Sequence, residues 1–206
     1  MKLTAFVAAI AVVFASASAH AETAKADAVQ AANLGPAVGE AIPHTLEIQS
    51  VDGYVRDFDT LKGDAGMALY FVRSVEWCPY CKTQATDVSK KLKEFEKRGL
   101  SVVFVSYDSV EKQRKFVQMT DFKPTLLSDR KIDVINAFGI RNETAEEGTR
   151  FYGIPHPSVF LFDADGVLRA KFYEDDFLTN KKSYRNRPEI DLVLEGADAW
   201  LDSAES

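Results

Sequence analysis

Cysteine is nearly absent from this chain, with two among 206 residues. That excludes a small scaffold stapled by disulfides, which needs several bridges in place of a core. Positive charge is also in deficit: 25 Lys and Arg against 31 Asp and Glu leave a net charge of −6. Phosphate neutralisation requires clustered cations, so no nucleic-acid partner is expected. No apolar run approaches the ~20 residues of a membrane-spanning helix. Internal repeats and low-complexity tracts are missing too. With 46% apolar and 27% charged residues, the composition is that of a folded globular domain.

What is present begins with residues 1–21, which read as a signal peptide. Lys2 precedes an apolar run from Leu3 to Phe14, and Ala17-Ser18-Ala19 and Ala19-His20-Ala21 both offer a small-x-small cleavage site. The short run and Ala-rich cleavage region are of the bacterial kind. The mature chain is therefore expected in the periplasm, with no membrane insertion after cleavage. Residues 22–43, rich in Ala and carrying Gly35-Pro36, Gly39 and Pro43, read as an arm or linker, and 44–206 as one domain.

Along that domain, Leu46 to Val55 reads as a hairpin turning at Asp52-Gly53. Met67–Val72 and Leu100–Val105 are continuous apolar runs of buried-strand length. Between them, Cys81, Ala85, Val88, Leu92 and Phe95 recur at helical spacing, predicting a helix over Pro79–Arg98 that Gly99 ends. A second helix is expected over 109–119, with Val110, Phe116, Val117 and Met119 partly inward. Ser158–Phe162 and Val167–Phe172 read as strands around the turn Asp163-Ala164-Asp165-Gly166. From Glu189, a helix presents Ile190, Val193, Leu194, Ala197 and Leu201 on one face. A strand–helix–strand crossover followed by a hairpin predicts an α/β fold, with a mixed central sheet between two helical layers.

The two cysteines stand in Trp77-Cys78-Pro79-Tyr80-Cys81, directly after a predicted buried strand and at the start of a predicted helix. Free amides and the positive dipole end of a helix favour a thiolate there. Pro79, with no N–H and a preset φ, suits the first turn. Cys81 lies one turn on, within reach of Cys78 and deeper in the apolar stripe. A Cys78 thiolate attacking a disulfide would form a mixed disulfide that Cys81 resolves. In an oxidising compartment so short a loop gains little stability from a bridge, so the pair suits chemistry better than stapling. Zinc would need two more ligands, with only His44 and His156 available. Haem attachment would need His where Lys82 stands. Neither a metal nor a cofactor is expected.

The chain resembles the thioredoxin-fold redoxins, the group that holds the peroxiredoxin-like proteins of the alkyl hydroperoxide reductase and thiol-specific antioxidant type. The resemblance runs from Pro43 through Leu61-Lys62-Gly63, the WCPYC motif and Val102–Asp108 to Gly153-Ile154-Pro155-His156-Pro157-Ser158-Val159-Phe160 and Asp163-Ala164-Asp165-Gly166. It implies a thioredoxin-like three-layer sandwich and an exported thiol–disulfide oxidoreductase. Its partners would be protein or small-molecule disulfides and dithiols, together with a periplasmic electron donor. It also implies that Pro157 is cis and faces the thiols, exposing the backbone of His156 to an extended substrate. His156 would then stabilise a thiolate or shuttle a proton, and Trp77 and Tyr80 would shape the docking surface.

The resemblance is incomplete in two places. Thioredoxins carry a buried acid six residues before the first cysteine, where this chain has Val72. Peroxiredoxins bind peroxide through a Pro, a Thr or Ser three residues before the reactive cysteine, and an Arg. Counting from Cys78 places Phe71 at the Pro position and Val75 at the Thr position, and counting from Cys81 places Ser74 and Cys78 there. Arg73, Glu76 and Asp108 are further residues within reach of the motif, each more ordinarily a solvated side chain. The polar stretch Glu174–Arg187 reads as a solvated loop. A peroxidase is thus the alternative to the exchange enzyme, and a binding protein with an inert disulfide is the non-enzymatic one.

Overall fold

The computed structural model describes residues 33–204; the expected signal peptide, 1–21, lies outside them. Period-2 alternation in the strands organises the molecule. In β3 (Gly66–Phe71), β4 (Leu100–Ser106) and β6 (Ser158–Asp163) nearly every residue is buried. Ala68, Tyr70, Val102, Phe104, Val159 and Leu161 enter one core. Met67, Leu69, Val103, Val105, Phe160 and Phe162 enter the other. Strands apolar on both faces need cover on both sides. On the first side it comes from α2 (Pro79–Glu96), α3 (Val110–Met119) and α5 (Ile190–Ala204). On the second it comes from α1 (Phe58–Leu61), α4 (Asp133–Ala137) and the loops beside them. This is the three-layer α/β/α arrangement expected.

The sheet has seven strands in the order β2-β1-β5-β4-β3-β6-β7, with β1 at Ile48–Ser50, β2 at Val55–Arg56, β5 at Thr125–Ser128 and β7 at Leu168–Tyr173. β3, β4 and β5 are parallel, joined through α2 and α3, whereas β6 and β7 add antiparallel strands beyond β3. The two turn signals fall where expected: Gly53 donates to the Ser50 carbonyl and Gly166 to that of Asp163, both glycines at positive φ. At the foot of β3, Gly66 has φ +144°, and a Cβ there would stand 2.0 Å from the Phe162 carbonyl oxygen. Close approach of β3 to β6 thus demands glycine.

Some boundaries differ from expectation. Helix α2 stops at Glu96, because Arg98 and Gly99 donate to Phe95 and Glu96 in a tightened last turn. Arg98 then forks onto Asp198 of α5 at 2.6 and 2.8 Å. Met119 is 75% exposed, on the outer side of α3. The described part of the expected arm lies on the domain: Leu34 is buried, and Gly39 and Ile42 donate to Leu168 and Gly166.

Candidate functional site

Helix α2 starts where β3 has run out, so the loop Val72–Trp77 decides how Cys78 is presented. Its anchor is Asp108, buried just beyond β4. The Asp108 carboxylate accepts from Ser74 Oγ (2.8 Å), the Val75 amide (2.7 Å) and Ser106 Oγ (2.9 Å). Ser74 Oγ in turn accepts from the amides of Glu76 and Trp77. Burial holds the Asp108 carboxyl above its usual range against the opposing pull of these hydrogen bonds. Asp108 therefore positions the turn before the cysteines and does not touch them.

Cys78 is the N-cap of α2 and Pro79 its first residue. The Cys81 amide donates to Cys78 Sγ at 3.3 Å, the terminal amide that a cap satisfies. Both thiols are free and enclosed, Cys78 with 1% of its surface exposed and Cys81 with none. From the far end of the chain, Arg187 Nη2 donates to Cys81 Sγ at 3.2 Å and reaches Cys78 Sγ at 3.7 Å. Arg187 Nη1 is held by the Tyr184 and Asn186 carbonyls.

The sulfurs are electrically coupled. Burial pushes the Cys81 thiol up, but the hydrogen bond from Cys78, the Arg187 charge and a Ser74 backbone hydrogen bond together bring it down to about 6. The Cys78 thiol is pushed up by its hydrogen bond to Cys81, by burial and by the Cys81 charge. One proton is thus shared across the pair, and the reduced site is a monoanion near neutrality. Sequence reasoning put the charge on Cys78 through the helix terminus alone; the geometry draws it toward Cys81, the sulfur nearer Arg187.

Other expected site residues fall as follows. The indole of Trp77 donates to Tyr107 Oη at 2.9 Å and meets Phe151 edge-on. Tyr80 is 38% exposed, with its ring 6.2 Å from that of Tyr184. Glu76 is paired with Lys112 on the surface. Val72 is fully buried and leaves no acid beneath the motif. Arg73 lies under the Tyr184 ring, 4.1 Å from its centroid, and 5.1 Å from that of Trp77.

Two expectations are corrected. Pro157 is trans, as is every peptide bond among the described residues. Segment 153–157 is drawn into a small ladder instead: Pro155 bridges Arg141, the Asn142 amide donates to Ile154, and the His156 amide donates to Ile140. His156 thus has no free amide for a substrate strand. Its imidazole meets Phe177 edge-on at 4.6 Å. Burial and the Arg73 charge hold it down to about 4, so it is neutral at pH 7. The positive charge at the sulfurs comes from Arg187, in a stretch read as a solvated loop. Its sole signal in sequence is Arg187-Pro188 just before a helix start, and that says nothing of where the segment folds.

Among the described residues, no three His, Cys, Asp or Glu side chains cluster so as to hold a metal ion. The arrangement is a buried dithiol against a guanidinium, suited to two-electron sulfur chemistry.

Comparison with known proteins agrees in kind. A model described as the AhpC/TSA family matches residues 38–171. The peroxiredoxin Bcp of Escherichia coli K12 is 29% identical over 147 residues, 71% of this chain and 91% of that protein. The 1-Cys peroxiredoxin PER1 of Zea mays is 34% identical over 185 residues, 82% of this chain and 76% of that one. Among solved structures, peroxidoxin BcpB from Mycobacterium tuberculosis superposes with a TM-score of 0.64 at 23% identity, covering 81% of this chain and 98% of that one. Peroxiredoxin Q of Xanthomonas campestris gives 0.62 at 25% identity, covering 79% and 97%.

Proposed function

The chain belongs to the AhpC/TSA family, and from that premise we propose that it is an exported thiol peroxidase whose Cys78/Cys81 pair reduces hydroperoxides. The observation that carries this reading is the enclosure of both sulfurs against Arg187. A hydroperoxide needs only to bring one oxygen to a thiolate, whereas a protein disulfide brings two chain segments with it.

Cys78, the cap residue, attacks. Its proton passes to Cys81, and the Cys78 thiolate displaces the distal peroxide oxygen, forming an S–O bond as the O–O bond breaks. The departing alkoxide takes the proton from Cys81 and leaves as alcohol. Cys81 thiolate then attacks the Cys78 sulfenic acid, closing the disulfide and releasing hydroxide, which solvent protonates to water. Two electrons leave the dithiol and two enter the peroxide. Arg187, against both sulfurs, stabilises the negative charge in both steps. The Val75 and Ser74 side chains do not supply the hydroxyl donor of that family: Ser74 Oγ is committed to Asp108.

A dithiol must then re-reduce the disulfide; a periplasmic donor fits the export expected from residues 1–21. The test is peroxide consumption with variants. Cys78→Ser abolishes it. Cys81→Ser still reacts once and leaves a sulfenic acid on Cys78 that dimedone traps, read by mass. Dimedone labelling at Cys81 in the Cys78→Ser protein, and none in the reverse variant, would invert the order of attack.

A further inference from the structure

A segment about a hundred residues further on packs against the thiols at the start of α2. We propose that residues 174–188 form a strap, with Tyr184 and Arg187 as its contact points, that selects oxidants by size and prevents the CPYC helix from acting as a general protein-disulfide exchanger. This rests on the peroxidase reading and names what makes it selective.

The strap leaves the body at the end of β7 and returns at the start of α5. Its base is tied by Asn186 Nδ2 donating to Glu174 Oε2 at 3.2 Å. Its main-chain hydrogen bonds run within the segment: Phe177 to Glu174, Thr179 and Asn180 to Asp176, Ser183 to Asn180, Asn186 to Ser183. Side chains fasten it to the domain. Phe177 packs on His156 and Tyr173, with ring centroids 4.6 and 5.9 Å apart. The Tyr184 ring covers the Arg73 guanidinium and meets Tyr80 of the motif edge-on. Arg187 ties the Tyr184 carbonyl to both sulfurs. Cys78, which Arg187 reaches from this segment, keeps 1% of its surface exposed.

The consequence is steric. In exchange, Cys78 thiolate must form a bond to one substrate sulfur in line with the S–S bond that breaks. The second sulfur leaves as thiolate, and Cys81 then expels the first, closing the Cys78–Cys81 disulfide. Backbone flanking a protein disulfide meets Tyr184 on that approach, whereas a small hydroperoxide does not.

Access can be measured without any peroxide. The reduced full chain is alkylated with N-ethylmaleimide and, separately, with maleimide carried on a 5-kDa polyethylene glycol, a probe of roughly protein bulk. The wild-type thiols are expected to favour the small reagent far more than a cysteine in urea-unfolded chain does. Tyr184→Ala, which removes the cover, and Phe177→Ala, which loosens the other anchor, should each raise the large-to-small rate ratio at least about tenfold, since exchange rates follow access. The ratio of insulin-disulfide to hydrogen-peroxide reduction should rise with it, in variants whose melting curves show a folded protein. A wild-type ratio equal to that of the unfolded chain, or variants that leave it unmoved, would overturn the strap. Size selection by alkylation with no peroxide turnover would leave the strap standing and remove the peroxidase.

Discussion

Arg187 brings a positive charge to within 3.2 Å of a buried sulfur, and its effect is legible in pH. With the first proton of the pair lost at about 6, the reactive monoanion is present above that value and disappears as pH falls through it. The peroxide rate should therefore climb around pH 6 and level off above. Replacing the cation, Arg187→Gln, removes a lowering influence, so the midpoint should move upward toward the ~8.5 of an ordinary thiol. Thiolate absorbance near 240 nm against pH reads the same shift without turnover. His156, neutral at pH 7 because burial and Arg73 hold it down to about 4, should contribute no inflection of its own between pH 5 and 8. A midpoint unchanged in Arg187→Gln would show that the Arg187 charge does not set the thiol.

Among the elements, the strand–loop–helix unit from β3 to α2 was the most legible in the sequence, because its signals are local. A continuous apolar run, a cysteine at a helix start, Pro79 and a helical stripe all lie within thirty-odd residues and point the same way. Less visible was what holds the loop, since Asp108 reaches Ser74 and Val75 from the end of another strand. Asp108→Ala leaves Ser74 Oγ, the Val75 amide and Ser106 Oγ without their acceptor, and should cost about 1–3 kcal/mol of stability in urea unfolding. It should also slow peroxide reduction through misplacement of Cys78, with Asp108→Asn recovering part of both. Gly66 was silent in sequence as well. A methyl group there meets the Phe162 carbonyl at a backbone angle few side chains adopt, so Gly66→Ala should destabilise the sheet by more than about 1 kcal/mol.

At the scale of the whole molecule, the mixed three-layer fold followed from alternating buried strands and helices, but the site is completed by a contact between residues 106 positions apart. No periodicity records such a contact. A polar, charged stretch reads as solvated because hydrophobic patterning is the signal being sought, and the strap is fastened by an arginine and two aromatic rings. The expected cis Pro157 was lost for a similar reason: a second small ladder with residues 140–142 takes up that segment. Oxidation should loosen the strap, since a disulfide carries no charge for Arg187 to bind. Amide hydrogen exchange over 174–188 is expected to be faster in the oxidised than in the reduced protein, and equal rates would count against that coupling.

The central claim is that Arg187 and the enclosed dithiol make a peroxidase. The charge of the pair is drawn toward Cys81 while the thiol of the attacking Cys78 is pushed up, so only the share of the monoanion in which Cys81 holds the proton carries the nucleophile. Thiolate population alone thus leaves little advantage over free cysteine. A guanidinium placed against the developing charge can add about a hundredfold or more. Stopped-flow mixing of the reduced protein with hydrogen peroxide at pH 7, followed by tryptophan fluorescence, to which Trp77 beside the motif contributes together with Trp200, measures the outcome directly. The account predicts oxidation at least about a hundredfold faster than that of free cysteine, falling sharply in Arg187→Gln. A rate no greater than that of free cysteine would contradict it.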